Sequence, residues 1–233
     1  MTEKDSEWTL YADKIKGLID TLSEQERNEI QENITIAHYR KNEVIYSEGE
    51  TPRNLLCLVE GKVKIYKDGV GGRAQIMRVL GTSEYFGYRA FIADEPFITT
   101  AAAFEPCTVL KIPMFLIVGY IQQNPRLGWF FVRQLSLDLG TSDERTVNLT
   151  QKHIRGRLAE SLLFLRDNYG LEADGSTLSI HPSREDLANL SNMTTSNAIR
   201  TLSSFASENL VAIEGRKIRL VNIAEIERIS RLG

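Results

Sequence analysis

The stretch from Ser183 to Val221 constrains this chain more than any other. Ser183 and Asp186 stand at capping-box spacing, which predicts a helix start. The short helix after them buries Leu187 and Leu190, and Ala188 is small where a second helix must cross closely. Ser191-Asn192-Met193 reads as a turn, because asparagine tolerates the left-handed backbone such a turn needs. Thr194 caps a second helix. In it Ala198, Ile199, Leu202 and Phe205 are expected to point inward, leaving Thr195, Ser196, Asn197, Arg200 and Ser204 outward. Two short helices across a tight turn, the second with a polar outer face, make a helix-turn-helix. A plain helical hairpin shares that pattern but lacks the next segment. Leu210–Ile213 and Lys217–Val221 read as strands around Glu214-Gly215-Arg216, a wing with a basic tip. The second helix of such a unit can enter the major groove of DNA and present its first residues to base edges.

The net charge of −3 looks wrong for a nucleic-acid binder, but it averages a gradient. Residues 1–150 carry 17 basic and 21 acidic side chains, and residues 151–233 carry 11 and 10. Within 194–219, Arg200, Arg216, Lys217 and Arg219 stand against Glu208 and Glu214. Where charges sit matters more than their total, and a dimer doubles the patch.

Upstream the periodicity differs. The first forty residues read as short helices, with a capping box at Ser23 and Glu26. From Ile36 to Ile112 short β-type runs appear: Glu43–Tyr46, Asn54–Val59, Lys62–Tyr66, Gln75–Leu80 and Cys107–Ile112. Turn signals separate them, among them Gly49, Gly61, Gly69 and Gly71-Gly72. Many short strands with glycine turns predict an antiparallel sandwich or barrel. Asn124-Pro125 then opens a proline-free run to about Gln151, long for a small domain at about 40 Å. Phe131, Leu135, Leu139, Ser142, Thr146 and Leu149 form a stripe along it. The stripe fits equally a face packed on its own domain or a self-association seam. A further helix, Ile154 to about Tyr169, stops at Gly170.

Other classes find little support. No run approaches the roughly 18 apolar residues of a membrane span, and the mixed-charge start lacks a signal peptide's apolar region; both point to the cytoplasm and to no membrane partner. Cys57 and Cys107 lie far apart, outside any Cys-x-x-Cys pair, and read as buried thiols. With three histidines, a dense metal site is not expected. No phosphate loop, nucleophile elbow or His-Glu-x-x-His motif occurs, so nothing argues for an enzyme.

From about Leu18 to Ile223 the chain resembles the CRP/FNR family of bacterial transcription regulators. The stretches that carry the resemblance are Ile45-Tyr-Ser-Glu-Gly-Glu50, Leu55 to Lys64 with Glu60-Gly61, Tyr85-Phe86-Gly87, the helix after Asn124-Pro125, and Gly156-Arg157-Leu158-Ala159. The resemblance implies an α+β chain in three parts. Residues 1–124 would be a sensory β-roll (a jelly-roll barrel) of cyclic-nucleotide-binding type, 125–151 a dimerisation helix, and 152–233 a winged helix-turn-helix. It implies a homodimer that binds double-stranded DNA under control of a signal at the roll, with RNA polymerase as a further partner. The DNA-contacting residues would be Thr194, Thr195, Ser196, Asn197, Arg200, Arg216 and Lys217. The ligand pocket would draw on Phe86, Gly87, Tyr88, Arg89, Phe97, Ile98, Thr99, Thr100 and Ser142.

Two departures bear on the signal. In cAMP-binding members of the family, a Glu follows the cassette glycine and an Arg about ten residues later neutralises the cyclic phosphate. Here Tyr88 and Arg89 follow Gly87, and Ile98 takes the Arg position. Burying a phosphate without a paired cation is costly, so cAMP is disfavoured unless Arg89 turns inward. No cysteine occurs in residues 1–50, which argues against the iron–sulfur cluster of the oxygen-sensing members. The apolar lining of Phe86, Tyr88, Phe97 and Ile98 leaves open an apolar ligand, haem or a filled core. In the reading helix, Thr195 and Ser196 stand where many members carry Arg-Glu, which implies a different operator. The rival reading is a cyclic-nucleotide-binding effector without DNA activity.

Overall fold

The computed structural model describes residues 8–69 and 72–233; part of the Gly71-Gly72 turn signal lies outside them. The chain divides into two compact units, one of Met1–Lys67 with Met77–Leu139, the other of Asp68–Ile76 with Gly140–Gly233.

The first unit is built on two four-stranded sheets. One has the order β1 (Thr35–Tyr39), β8 (Cys107–Pro113), β3 (Asn54–Glu60), β6 (Tyr85–Phe86). The other runs β2 (Val44–Tyr46), β7 (Thr100–Ala103), β4 (Val63–Asp68), β5 (Ala74–Leu80). Strand β3 shows why they close into a roll. Its residues are buried from Leu55 to Val59 on both faces. Leu56 and Leu58 join the core inside the roll with Val63, Ile65, Phe86 and Val109. Leu55, Cys57 and Val59 join a second core outside it, with Ile15, Leu18, Ile30 and Ile112. That outer core is covered by helical turns between Trp8 and Ile19, by α1 (Glu24–Asn33), and by a helix α3 (Met114–Ile121). Between the strands, the short α2 (Tyr88–Ile92) comes after β6. The capping box at Ser23 and Glu26 forms as the sequence predicts.

The long helix α4 spans Pro125–Gln151, with Asn124 accepting from the Leu127 amide at its start. Its first turns resolve the ambiguous stripe. Leu127 and Phe131 are buried in the outer core of their own unit, and Phe130 and Leu135 pack against it. Phe131 and Leu135 therefore do not lie on a free seam. The exposed large apolar side chains of the helix are Trp129, Val132, Leu137, Leu139 and Val147. Of these, Trp129, Val132 and Leu139 form with Ser136 another stripe at spacings of three and four, which meets the expected one at Leu139.

In the second unit, α5 (Ile154–Tyr169) packs against α8 (Ile223–Leu232), α7 (Thr195–Ser207) and α6 (Arg184–Leu190), and the hairpin β9 (Val211–Glu214)–β10 (Lys217–Leu220) forms the wing. Gly156 is required at the start of α5: a Cβ there would stand 2.5 Å from the backbone of Gly233. The closing helix α8, absent from the sequence-based expectations, is amphipathic and buries Ile226 and Ser230.

Candidate nucleic-acid interface and sensory roll

The helix-turn-helix is assembled from local rules. The Ser183 hydroxyl accepts from the Asp186 amide at 3.0 Å, and the Asp186 carboxylate accepts from the Ser183 amide at 3.3 Å. Asn192 adopts φ 48° in the turn, the left-handed backbone its residue type tolerates. The Thr194 hydroxyl accepts from the Asn197 amide at 3.2 Å and starts α7. Leu187, Ala188, Leu190, Met193, Ala198, Leu202 and Phe205 are all buried. A buried hydrogen bond of 2.8 Å between Ser191 and Ser161 ties the turn to α5.

This burial leaves one face of α7 open. Thr194, Thr195, Ser196, Arg200 and Ser203 are exposed, and Asn197 is half-buried. Ile199, expected inward, is 47% exposed instead. Three inner positions already fill the contact with α5 and α6, and Ile199 lies off their arc. Arg200 donates to the side-chain amide oxygen Oδ1 of Asn197 at 2.7 Å, so one residue of the predicted set orients another.

The wing turns at Gly215, with φ 57°. Arg216, Lys217 and Arg219 are exposed. The Lys217 ammonium lies 3.1 Å from Glu172, which also meets His181 at 2.9 Å. Lys217, then His181, hold the Glu172 carboxyl below its ordinary range. Two positioning contacts escape the sequence. Arg184 donates to the Gly215 carbonyl at 2.9 Å and fastens the wing turn to the start of α6. Arg155 forks onto Glu208 at 2.6 and 2.8 Å and fastens the end of α7 to α5. No spacing rule flags either, since each joins residues more than thirty positions apart.

The roll brings together only part of the expected pocket. Phe86 and Phe97 lie in its inner core, where the Phe97 ring stacks on Tyr46 at 3.7 Å. Gly87 has φ 83°, and a Cβ there would stand 3.1 Å from the Asn54 carbonyl. Tyr88 belongs to the outer core, with its ring 5.2 Å from Phe131 and its hydroxyl donating to Asp138 of α4 at 3.1 Å. Burial first, then the Asp138 carboxylate, push the Tyr88 hydroxyl well above its ordinary pKa. Asp138 also pairs with Arg78 at 2.6 Å. Arg89 is half-exposed and 3.3 Å from Glu95. Ile98 is 48% exposed, and its carbonyl accepts from Lys67 at 3.0 Å. Thr100 accepts from the Glu48 amide at 3.1 Å, and the Thr99 hydroxyl bonds Tyr46. Ser142 is exposed and belongs to the other unit. A cavity of about 350 Å³ opens beside the Tyr46–Phe97 stack, lined also by Glu50, Arg53, Asn54 and Lys111.

Cys57 and Cys107 are free, buried thiols; burial pushes Cys107 up to about 11. Among the described residues no cluster of His, Cys, Asp and Glu gathers as a metal site, and no helix is long and apolar enough to cross a membrane.

A capped helix-turn-helix with an open polar face and a basic wing, joined in one chain to a sensory-type roll, defines a DNA-binding transcription regulator. Comparison with known proteins places it further. Residues 36–124 match the cyclic nucleotide-binding domain, and residues 156–229 match the Crp-like helix-turn-helix domain. The chain belongs to the CRP/FNR family of transcription regulators. It is 23% identical over 194 residues to a CRP-like cAMP-activated global transcriptional regulator of Mycobacterium tuberculosis, covering 83% of this chain and 85% of that one. Its fold matches FixK2 from Bradyrhizobium japonicum with a TM-score of 0.74 at 22% identity, covering 84% of this chain and 96% of that one. It also matches a CRP/FNR-family regulator from Eubacterium rectale with a TM-score of 0.78 at 18% identity, over 92% and 97%. Family members bind DNA and act as dimers.

Proposed function

We propose that this chain acts in the cytoplasm as a homodimer that reads DNA through α7 and grips its backbone with the wing, under control of a signal other than cAMP. The observation that carries the reading is the open face of α7, where Arg200 is held by Asn197 beside exposed Thr195 and Ser196. A planar guanidinium so held can pair with a guanine edge, and Thr195, Ser196 and Asn197 with neighbouring bases. Thr194 caps the helix whose amides face the phosphates. Arg216 and Lys217 sit at a strand turn, where phosphates are the nearer partners. Lys217 already shares its charge with Glu172, so Arg216 carries the larger part of that grip.

In the same reading the roll biases α4 through the Tyr88–Asp138 and Arg78–Asp138 contacts, and RNA polymerase is the partner of the DNA-bound dimer. Such a relay is a two-state bias of the kind regulators use.

Binding isotherms on a selected site and on scrambled DNA, at several salt concentrations, test the reading. Arg200→Ala should cost about 1–3 kcal/mol per half-site and relax preference at one base position. Replacing Arg216 and Lys217 by Ala should weaken binding to both DNAs alike and flatten the salt dependence, because fewer counterions are released. Equal loss on both DNAs from Arg200→Ala, with a reduced salt slope, would make Arg200 a phosphate anchor and sink the assignment.

A further inference from the structure

We propose that Ile199 is a base-reading residue whose side chain packs on the C5-methyl group of a thymine in each half-site. The inference rests on α7 entering the major groove. Within α7, the inner face is completed by Ala198, Leu202 and Phe205, each at most 1% exposed. Ile199 is the one large apolar side chain that the described residues of this helix leave open, at 47%. By helical spacing its neighbours are Leu202, which is buried inward, and Thr195, Ser196 and Ser203, which are exposed, short and polar. They cannot cover an isoleucine side chain.

An exposed isoleucine on a base-facing helix is restricted in what it can do. It has neither donor nor acceptor, so it cannot replace a hydrogen bond to phosphate, guanine, adenine or cytosine. The apolar feature on a base-pair edge in the major groove is the thymine methyl. A β-branched side chain in a helix holds one χ1 rotamer most of the time, so Ile199 is a stiff knob that loses little freedom on contact. An apolar patch for another protein would be contiguous. Ile199 instead stands singly among Thr195, Ser196, Arg200 and Ser203. Its chain neighbour is Arg200, one residue or about 1.5 Å further along the helix axis. Since base pairs are about 3.4 Å apart, the thymine should lie within one or two base pairs of the guanine that Arg200 reads. The specificity of this chain then combines a donor fork with a methyl contact, in a helix where Thr195 and Ser196 supply only short hydroxyls.

The test uses the full-length protein and a site selected by it from random DNA. Each thymine is replaced in turn by deoxyuridine, which lacks only the C5-methyl group. For the wild type, one substitution per half-site should weaken binding about fourfold, the worth of one buried methyl, and about fifteenfold when made in both half-sites. For Ile199→Ala the same substitution should cost nothing, while other thymines behave as in the wild type. Ile199→Val should keep most of the penalty. Ile199 is exposed, so the melting temperatures of both variants should stay close to the wild type. Thymine-by-thymine penalties identical in wild type and Ile199→Ala would overturn the proposal, as would a selected half-site with no thymine within two base pairs of the guanine. If Arg200→Ala also altered no base preference, the failure would belong to the placement of α7 in the groove. If Arg200→Ala relaxed one position and Ile199→Ala none, it would belong to Ile199 alone.

Discussion

Arg155 shows what one side chain contributes to a reading helix. Its guanidinium lies 4.9 Å from the centre of the Phe205 ring, forks onto Glu208, and receives a further link through Ser204, which donates to the same carboxylate at 2.6 Å. The hydrogen bonds from Arg155, then from Ser204, hold the Glu208 carboxyl at about 2, below its ordinary 4.5. A depressed carboxylate contributes stability that is complete above its unfolded pKa and lost as pH falls through the folded one. For Glu208 that window runs from about 4.5 down to about 2. Glu208→Gln should therefore melt below the wild type at pH 6, with the gap closing as the pH approaches 2. The pair is partly exposed, so salt should shrink the gap. A gap that stays constant across this range, measured by thermal melting at each pH, would show that the ion pair contributes nothing. At this scale little is legible in the sequence. Capping residues such as Ser183 and Thr194 announce themselves because their partners lie three positions away. Arg155 and Arg184 do not, because their partners are brought near only by the packed helices.

Secondary-structure elements are most legible where one physical rule dominates. The span of α4 comes from Asn124-Pro125 and the lack of any later proline before its end, and the wing comes from β-type runs around Gly215. Strand β7 escapes recognition because its Ala101, Ala102 and Ala103 have poor strand propensity. Their small size is what the site demands: all three are buried, in a strand hydrogen-bonded between β2 and β4. Ile199 is misplaced because helical periodicity marks an apolar residue as inward whenever it flanks the true inner arc. The expected pocket is half-legible. Its aromatic members Phe86 and Phe97 do enter the roll, yet no spacing signal marks Tyr46, the stacking partner of Phe97. The resulting element-level expectation concerns cyclic nucleotides. Where the resemblance puts a phosphate-pairing arginine, this roll has half-exposed Ile98; where it puts a ribose-binding carboxylate, it has Tyr88 bound to Asp138. Arg89 is turned to Glu95. Calorimetry with cAMP should give a dissociation constant weaker than about 10 μM, an affinity of roughly −7 kcal/mol. Tighter binding that Arg89→Ala abolishes would mean that Arg89 leaves Glu95 to meet the phosphate.

For the whole molecule the open question is which surface a second copy covers. Reading a two-part operator requires two α7 helices about one DNA turn, roughly 34 Å, apart. One chain supplies a single such helix. The start of the sequence stripe, Phe131 and Leu135, cannot supply the contact, because Phe131 is buried in the chain's own core and Leu135 packs against it. The stripe of Trp129, Val132, Ser136 and Leu139 can: its apolar members are 70%, 49% and 63% exposed, which costs free energy unless something covers them. Spacings of three and four along a helix suit a two-fold seam between two copies of α4. The two stripes make opposite forecasts. Trp129→Asp with Val132→Asp should convert a micromolar dimer to a monomer by light scattering, with the chain still folded by its far-UV circular dichroism. Leu135→Asp should instead lower the melting temperature, since it drives a charge toward the packed outer core. If the paired substitution left the dimer intact, or if the wild type were already monomeric at that concentration, the exposed stripe would not be the seam. The half-sites would then have to be bridged by another face of the chain.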